Sequence, residues 1–152
     1  MRRLIPPRKK EDSDLESNQV REKLKKYKEY KANIKVKDLK IEELEEEVGV
    51  SGQGYEERTG KTYKVNSFTE NQAIDILEKK EQLSKERRYY EREIERIDNA
   101  LNTLNEDERE IIISSLIEGR RYSSIEVKYN YTYSNIKKIE RRAIKKIAKF
   151  MD

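Results

Sequence analysis

The chain has no cysteine, no histidine and no tryptophan. Without Cys or His there is no disulfide, no thiol nucleophile, no imidazole acid or base and no Cys/His zinc set, and nothing calls for an oxidising compartment. Five glycines in 152 residues build no phosphate-cradling loop of the kind nucleotide-hydrolysing sites use. Carboxylates are plentiful, but they alternate with Lys and Arg, the pattern of surface ion pairs and not of two unpaired acids in a pocket. We therefore expect a protein that is not an enzyme and holds no cofactor and no metal. Long apolar runs are missing too: none nears the roughly 20 residues of a membrane span, and Met1-Arg2-Arg3-Leu4-Ile5-Pro6-Pro7 lacks the apolar stretch of a signal peptide. The expected location is cytoplasmic, with no membrane contact.

What the chain has is charge. Charged residues make up 43% and apolar ones only 34%, which excludes a large globular core and suits long helices that bury a narrow stripe. Residues 1–14, with Pro6-Pro7 among Arg2, Arg3, Arg8, Lys9 and Lys10, read as a flexible basic arm. From about Asp14 to Val48 a helix is predicted, with Val20, Tyr27, Ile34, Ile41 and Val48 repeating every seven residues and Leu24, Tyr30 and Leu44 widening the stripe. Val36-Lys37-Asp38 is its weak point, because Val and Asp are poor helix formers. Gly49, Gly52, Gly54 and Gly60 mark a loop over 49–66.

Ser67 to Glu70 and Thr69 to Gln72 have capping-box spacing, so a second long helix starts there and runs to about Leu104. Ile76, Leu83, Tyr90, Ile97 and Leu104 form its seven-residue series. Ala73, Ile94 and Leu101 share the complementary series with Lys80 and Arg87, polar positions of the kind that fix register. Residues 15–104 thus read as an antiparallel helical hairpin or coiled coil around the glycine loop. A homodimer in which each stripe meets its own copy buries the same surface.

The remainder, 105–152, reads as a three-helix DNA-binding unit. Asn105 to Glu108 again has capping-box spacing, and a helix bearing Ile111, Ile112 and Leu116 ends at Glu118-Gly119. Ser123 or Ser124 then caps a helix that packs Ile125 and Tyr129. Asn130 supplies a left-handed turn. Thr132 caps the last helix, on which Ile136, Ile139, Ala143, Ile147 and Phe150 fall at helical spacing. From Gly119 to Met151 ten basic residues face two acidic ones, a local net of +8 where the whole chain is only +4. Such concentration is the footprint of a phosphate-neutralising surface, so double-stranded DNA is the expected partner. The base-reading candidates are Tyr133, Ser134, Lys137 and Lys138, near the start of the reader helix. Arg141, Arg142, Lys145 and Lys146 are the phosphate candidates, with Arg120, Arg121 and Lys128 contributing from the preceding helices.

Leu104-Asn-Glu-Asp-Glu108, then Ile125, Tyr129, Asn130 and Thr132, and above all Asn135-Ile136-Lys-Lys-Ile139-Glu140-Arg-Arg-Ala143-Ile-Lys-Lys-Ile147 resemble region 4 of bacterial sigma factors, the module that binds the upstream promoter element. Together with Tyr55-Glu-Glu-Arg58-Thr59 before a long helix, the layout is similar to sigma-like regulators of Gram-positive phages, the ArpU-type and RinA-type late-gene activators. The resemblance implies a sequence-specific transcriptional regulator of phage or prophage origin that acts with RNA polymerase. Three departures matter. Glu126 stands where the family usually has Ala or Gly, and is expected to reach the surface or pair with Lys137. Tyr133-Ser134 replaces an Arg-Glu pair, which argues against the usual promoter hexamer. No core-binding, promoter-melting module precedes the domain, so a self-sufficient sigma factor is not expected. The alternative class is a structural assembly subunit, such as a small-terminase-like DNA-packaging protein.

Overall fold

The computed structural model describes residues 8–53 and 70–151, with side chains placed over 14–48 and 70–151. All its regular elements are helical: α1 (Arg8–Lys25), α2 (Tyr27–Gln53), α3 (Glu70–Asn102), α4 (Glu106–Ile112), a π-helical turn (Ile113–Ile117), α5 (Tyr122–Tyr129) and α6 (Tyr133–Ala148). The protein is all-α, with a long helical hairpin and a C-terminal helix-turn-helix domain. Contacts divide it into two compact units, one formed by residues up to Tyr30 together with Glu93 onward, the other by Lys31–Arg92.

The second unit is the body of the hairpin. Glu45 pairs with Lys80 at 3.0 Å, Asp38 with Arg87 at 2.6 Å, and Lys37 with Glu86. Residues 37–38 of α2 meet 86–87 of α3 while residue 45 meets residue 80, one to two helical turns earlier, which defines an antiparallel pair within one chain. Lys80 and Arg87, the two polar interruptions of the stripe, are thus register pins answered by carboxylates on the facing helix. Ile76 is buried, while Ile34, Ile41, Leu44, Leu83 and Tyr90 are half-buried, a seam as narrow as the composition demands. Two local expectations differ. Val36-Lys37-Asp38 does not interrupt α2, because Lys37 and Asp38 are both held by α3. Nor does the loop start at Gly49: α2 continues to Gln53, since an isolated helical glycine costs only about 1 kcal/mol against Ala. The rest of the loop, its Tyr55–Thr59 segment and the Ser67 and Thr69 caps lie outside the described residues.

The first unit holds the deeper core. Val20 and Leu24 from α1, Ile97, Ala100 and Leu101 from α3, Ile111 and Ile112 from α4, Ile125 from α5, and Ile136, Ile139, Ala143, Ile144 and Ile147 from α6 are all buried. Residues 1–7 of the basic arm lie outside the described residues; from Arg8 the backbone is helical, and α1 packs on α6 and on the π-helical turn. The end of α3 is closed by Arg109, which donates from Nε to Leu101 O at 3.1 Å and from a terminal nitrogen to Leu104 O at 3.2 Å. Leu101 O also accepts the Leu104 N–H at 3.1 Å, and the cation there adds to the bonding of the last carbonyls and opposes the negative end of the helix dipole.

Asn105 stands at the N-cap of α4 but its side chain makes no cap bond, so the capping box does not close. Glu108, the carboxylate that would reach back, is buried and turned elsewhere (below). After Ile112 the helix widens: Glu118 N–H reaches Ile113 O at 2.8 Å, five residues back. This π turn buries Ser114 and Leu116, and Gly119 then leaves the helix at φ +67°, where a Cβ is strained.

Candidate nucleic-acid interface

The turn between α5 and α6 is built as its residues dictate. Asn130 adopts φ 56°, ψ 41°, a left-handed conformation that Asn tolerates better than other side-chain-bearing residues. Thr132, extended at φ −78°, ψ 154°, caps α6 by accepting from Asn135 N–H at 3.2 Å. The cap of α5 differs from expectation. Arg121 occupies the N-cap without a side-chain bond, and Ser123 and Ser124 lie exposed inside the first turn. Tyr122, ahead of both serines, starts the helix because its ring is partly buried against Ile111, Ile125, Ile136 and Ile139.

One face of α6 buries Ile136, Ile139, Glu140, Ala143, Ile144 and Ile147. Phe150, assigned to that stripe, is 54% exposed and Met151 is buried instead. The helix ends at Ala148, so helical spacing no longer places the two residues beyond. On the opposite face Ser134, Lys138, Arg141 and Lys145 follow one another at steps of four, three and four residues, a straight row on a helix, about 16 Å long at 1.5 Å per residue. All four are exposed. Among the described residues none of the three bases has an ion-pair partner.

The other α6 candidates are engaged within the domain. Glu108 is 1% exposed; Lys146 donates to its two oxygens at 3.0 and 3.2 Å and Arg142 approaches at 3.2 Å. A buried carboxylate requires such compensation, so these two bases have a structural duty besides any toward phosphate. Lys137 is half-buried and donates to Tyr122 Oη at 2.9 Å, and Tyr122 in turn donates to Glu140 at 2.9 Å. Glu140 is completely buried and its other oxygen pairs with Arg21 of α1. The Tyr122 hydroxyl, with Glu140 behind it, holds the Lys137 ammonium above the usual lysine range, against an opposing effect of burial. Lys137 is therefore not the partner of Glu126. That carboxylate is half-buried, and Lys137 lies 4.3 Å from the Tyr122 ring centre and 5.8 Å from that of Tyr133. Tyr133 itself is 52% exposed at the first residue of α6. Among the flanking bases, Arg120 pairs with Glu118 at 2.7 Å, Lys128 lies over the Tyr129 ring at 5.0 Å, and Arg121 is exposed.

Sequence reasoning missed Arg21, Tyr122, Glu108 and Glu140 as members of this site. For Glu140 a signal existed: it is an acid on the apolar side of a basic helix, and a carboxylate there needs a buried partner. Arg21 carried none, being one of many bases on a charged helix.

The geometry is that of a helix-turn-helix supported by flanking helices, with a row of exposed bases, without ion-pair partners among the described residues, on the outward face of its second helix. No curated protein and no solved structure matches the chain. Residues 100–149, about a third of the chain, match the family model of Sigma-70, region 4, and form a region 4-like helix-turn-helix domain of the DNA-binding kind.

Proposed function

We propose that this protein is a sequence-specific double-stranded-DNA-binding transcriptional regulator, a phage or prophage activator that works with RNA polymerase and has no catalytic activity of its own. The observation that carries the reading is the row Ser134, Lys138, Arg141 and Lys145 on the outward face of the helix that a region 4 domain lays into DNA. The first residues of such a helix meet base edges and its later bases meet phosphates. Within the hairpin, ion pairs join α2 to α3 of the same chain.

The test combines pull-down from host lysate with transcription in vitro from DNA that the protein selects. Recovery of RNA polymerase subunits and a site-dependent rise in transcript support the proposal. Recovery of packaging proteins without polymerase, together with a ring of eight or more subunits, overturns it in favour of an assembly role.

A further inference from the structure

Tyr133 holds a position none of the other site residues shares. It is the first residue of α6, half of it faces solvent, and yet its ring packs against another aromatic side chain. The Tyr122 ring meets it edge to face, centroids 5.4 Å apart at 83°, and the Lys137 ammonium stands beside the pair, 4.3 Å from the Tyr122 centre and 5.8 Å from that of Tyr133. Behind them the contacts run through Tyr122 Oη to Glu140 and on to Arg21 of α1. An exposed aromatic would ordinarily be free to rotate. Here one edge is anchored by a chain of contacts that begins in the buried core.

Resting on the DNA-binding reading above, we propose that Tyr133 is a specificity-determining residue whose ring packs on the C5-methyl group of a thymine in the major groove, and that Tyr122 and Lys137 are positioning residues for that ring. The thymine methyl is the apolar feature of the major-groove edge of a base pair and is read by apolar contact. The start of a reader helix is the part that reaches base edges. A ring already packed on one side loses less conformational freedom on a second contact than a free one. Lys137 donates inward to Tyr122, so it acts through the rings and not as a phosphate contact.

The experiment uses the full chain and a library of duplexes with a randomised centre, followed by thymine-to-uracil replacement at each thymine of the selected site, which removes the methyl group alone. Uracil at one or two positions should weaken binding about fourfold, the worth of one buried methyl group. Tyr133→Ala should abolish that response, and Tyr133→Phe, which keeps the ring, should retain it. Lys137→Met should reduce it without lowering the salt dependence of binding. Four results overturn the inference while leaving the DNA-binding reading intact: a selected site with no uracil-sensitive position, a response that survives in Tyr133→Ala, a response lost in Tyr133→Phe, which would point to the hydroxyl, or a Lys137→Met salt slope smaller by about one, which would make Lys137 a phosphate contact. If the folded chain binds no duplex at all, the reading and the inference fall together.

Discussion

Lys146 grips both carboxylate oxygens of Glu108, at 3.0 and 3.2 Å, across 38 residues of sequence. One end of that contact is a base on the reader helix, the other an acid in the first turn of α4 that is almost wholly buried. The pair joins α6, the second helix of the helix-turn-helix, to α4, which packs against it.

Because Arg142 shares Glu108, the two bases should back each other up. Lys146→Ala or Arg142→Ala alone is expected to destabilise the protein by about 1 kcal/mol, the usual net value of one hydrogen bond. Removing both leaves a buried charge without compensation and should cost about 3 kcal/mol or more, well beyond the sum. Lys145→Ala, which touches neither, should stay within about 0.5 kcal/mol. Urea unfolding of the four variants gives the comparison; simple additivity would show that Glu108 does not depend on the pair.

The hairpin register can be tested through Asp38 and Arg87, which meet at 2.6 Å with both side chains about 40% exposed. Exposed pairs are worth about 0.2–1 kcal/mol. Asp38→Arg should lower the melting temperature and the added Arg87→Asp should recover most of it. Recovery only at high protein concentration would instead mean that the pair forms between two chains.

Asn130 is the only described residue other than glycine with positive φ. Asn130→Gly should be tolerated, and Asn130→Ala should cost about 1–2 kcal/mol, the penalty of a left-handed backbone for an ordinary side chain. Equal stabilities of the two variants by thermal unfolding would contradict the turn.

Acid should loosen the hairpin. Lys37, followed by Gln82, hydrogen-bonds the Glu86 carboxylate and holds it below its ordinary value of 4.5. A depressed carboxyl contributes stability that is present above that ordinary value and lost as pH falls through the folded one. Lys37→Met should therefore lower stability at neutral pH and remove the matching part of the loss below about pH 4.5, so that the two proteins converge in acid. An acid limb unchanged in the variant would show that the pair makes no difference.

The parts of this fold legible in the sequence were those fixed by local chemistry. Thr132 and Asn130 read correctly because cap and turn preferences act over three or four residues. The two long helices and their need of a partner were legible because a seven-residue stripe must be buried, but the stripe left hairpin and homodimer open, and the pairing of α2 with α3 shows only in the ion pairs between them. What escaped depends on contacts between distant segments. Nothing near Arg21 announces Glu140, and Lys146 looks in sequence like its neighbour Lys145, although one closes over a buried acid and the other is exposed. A basic helix therefore reveals its net charge from sequence but not which of its bases are already spoken for.

The most direct test of the central claim is the salt dependence of duplex binding by the full chain. Each phosphate neutralised contributes about −0.9 to the slope of log affinity against log salt, so the unpaired bases Lys138, Arg141 and Lys145 should together account for about −3 of it. Replacing all three with Gln should flatten the slope by that amount while the circular-dichroism spectrum stays helical. Equal slopes for the two proteins, or no binding by the folded parent at low salt, would contradict the account.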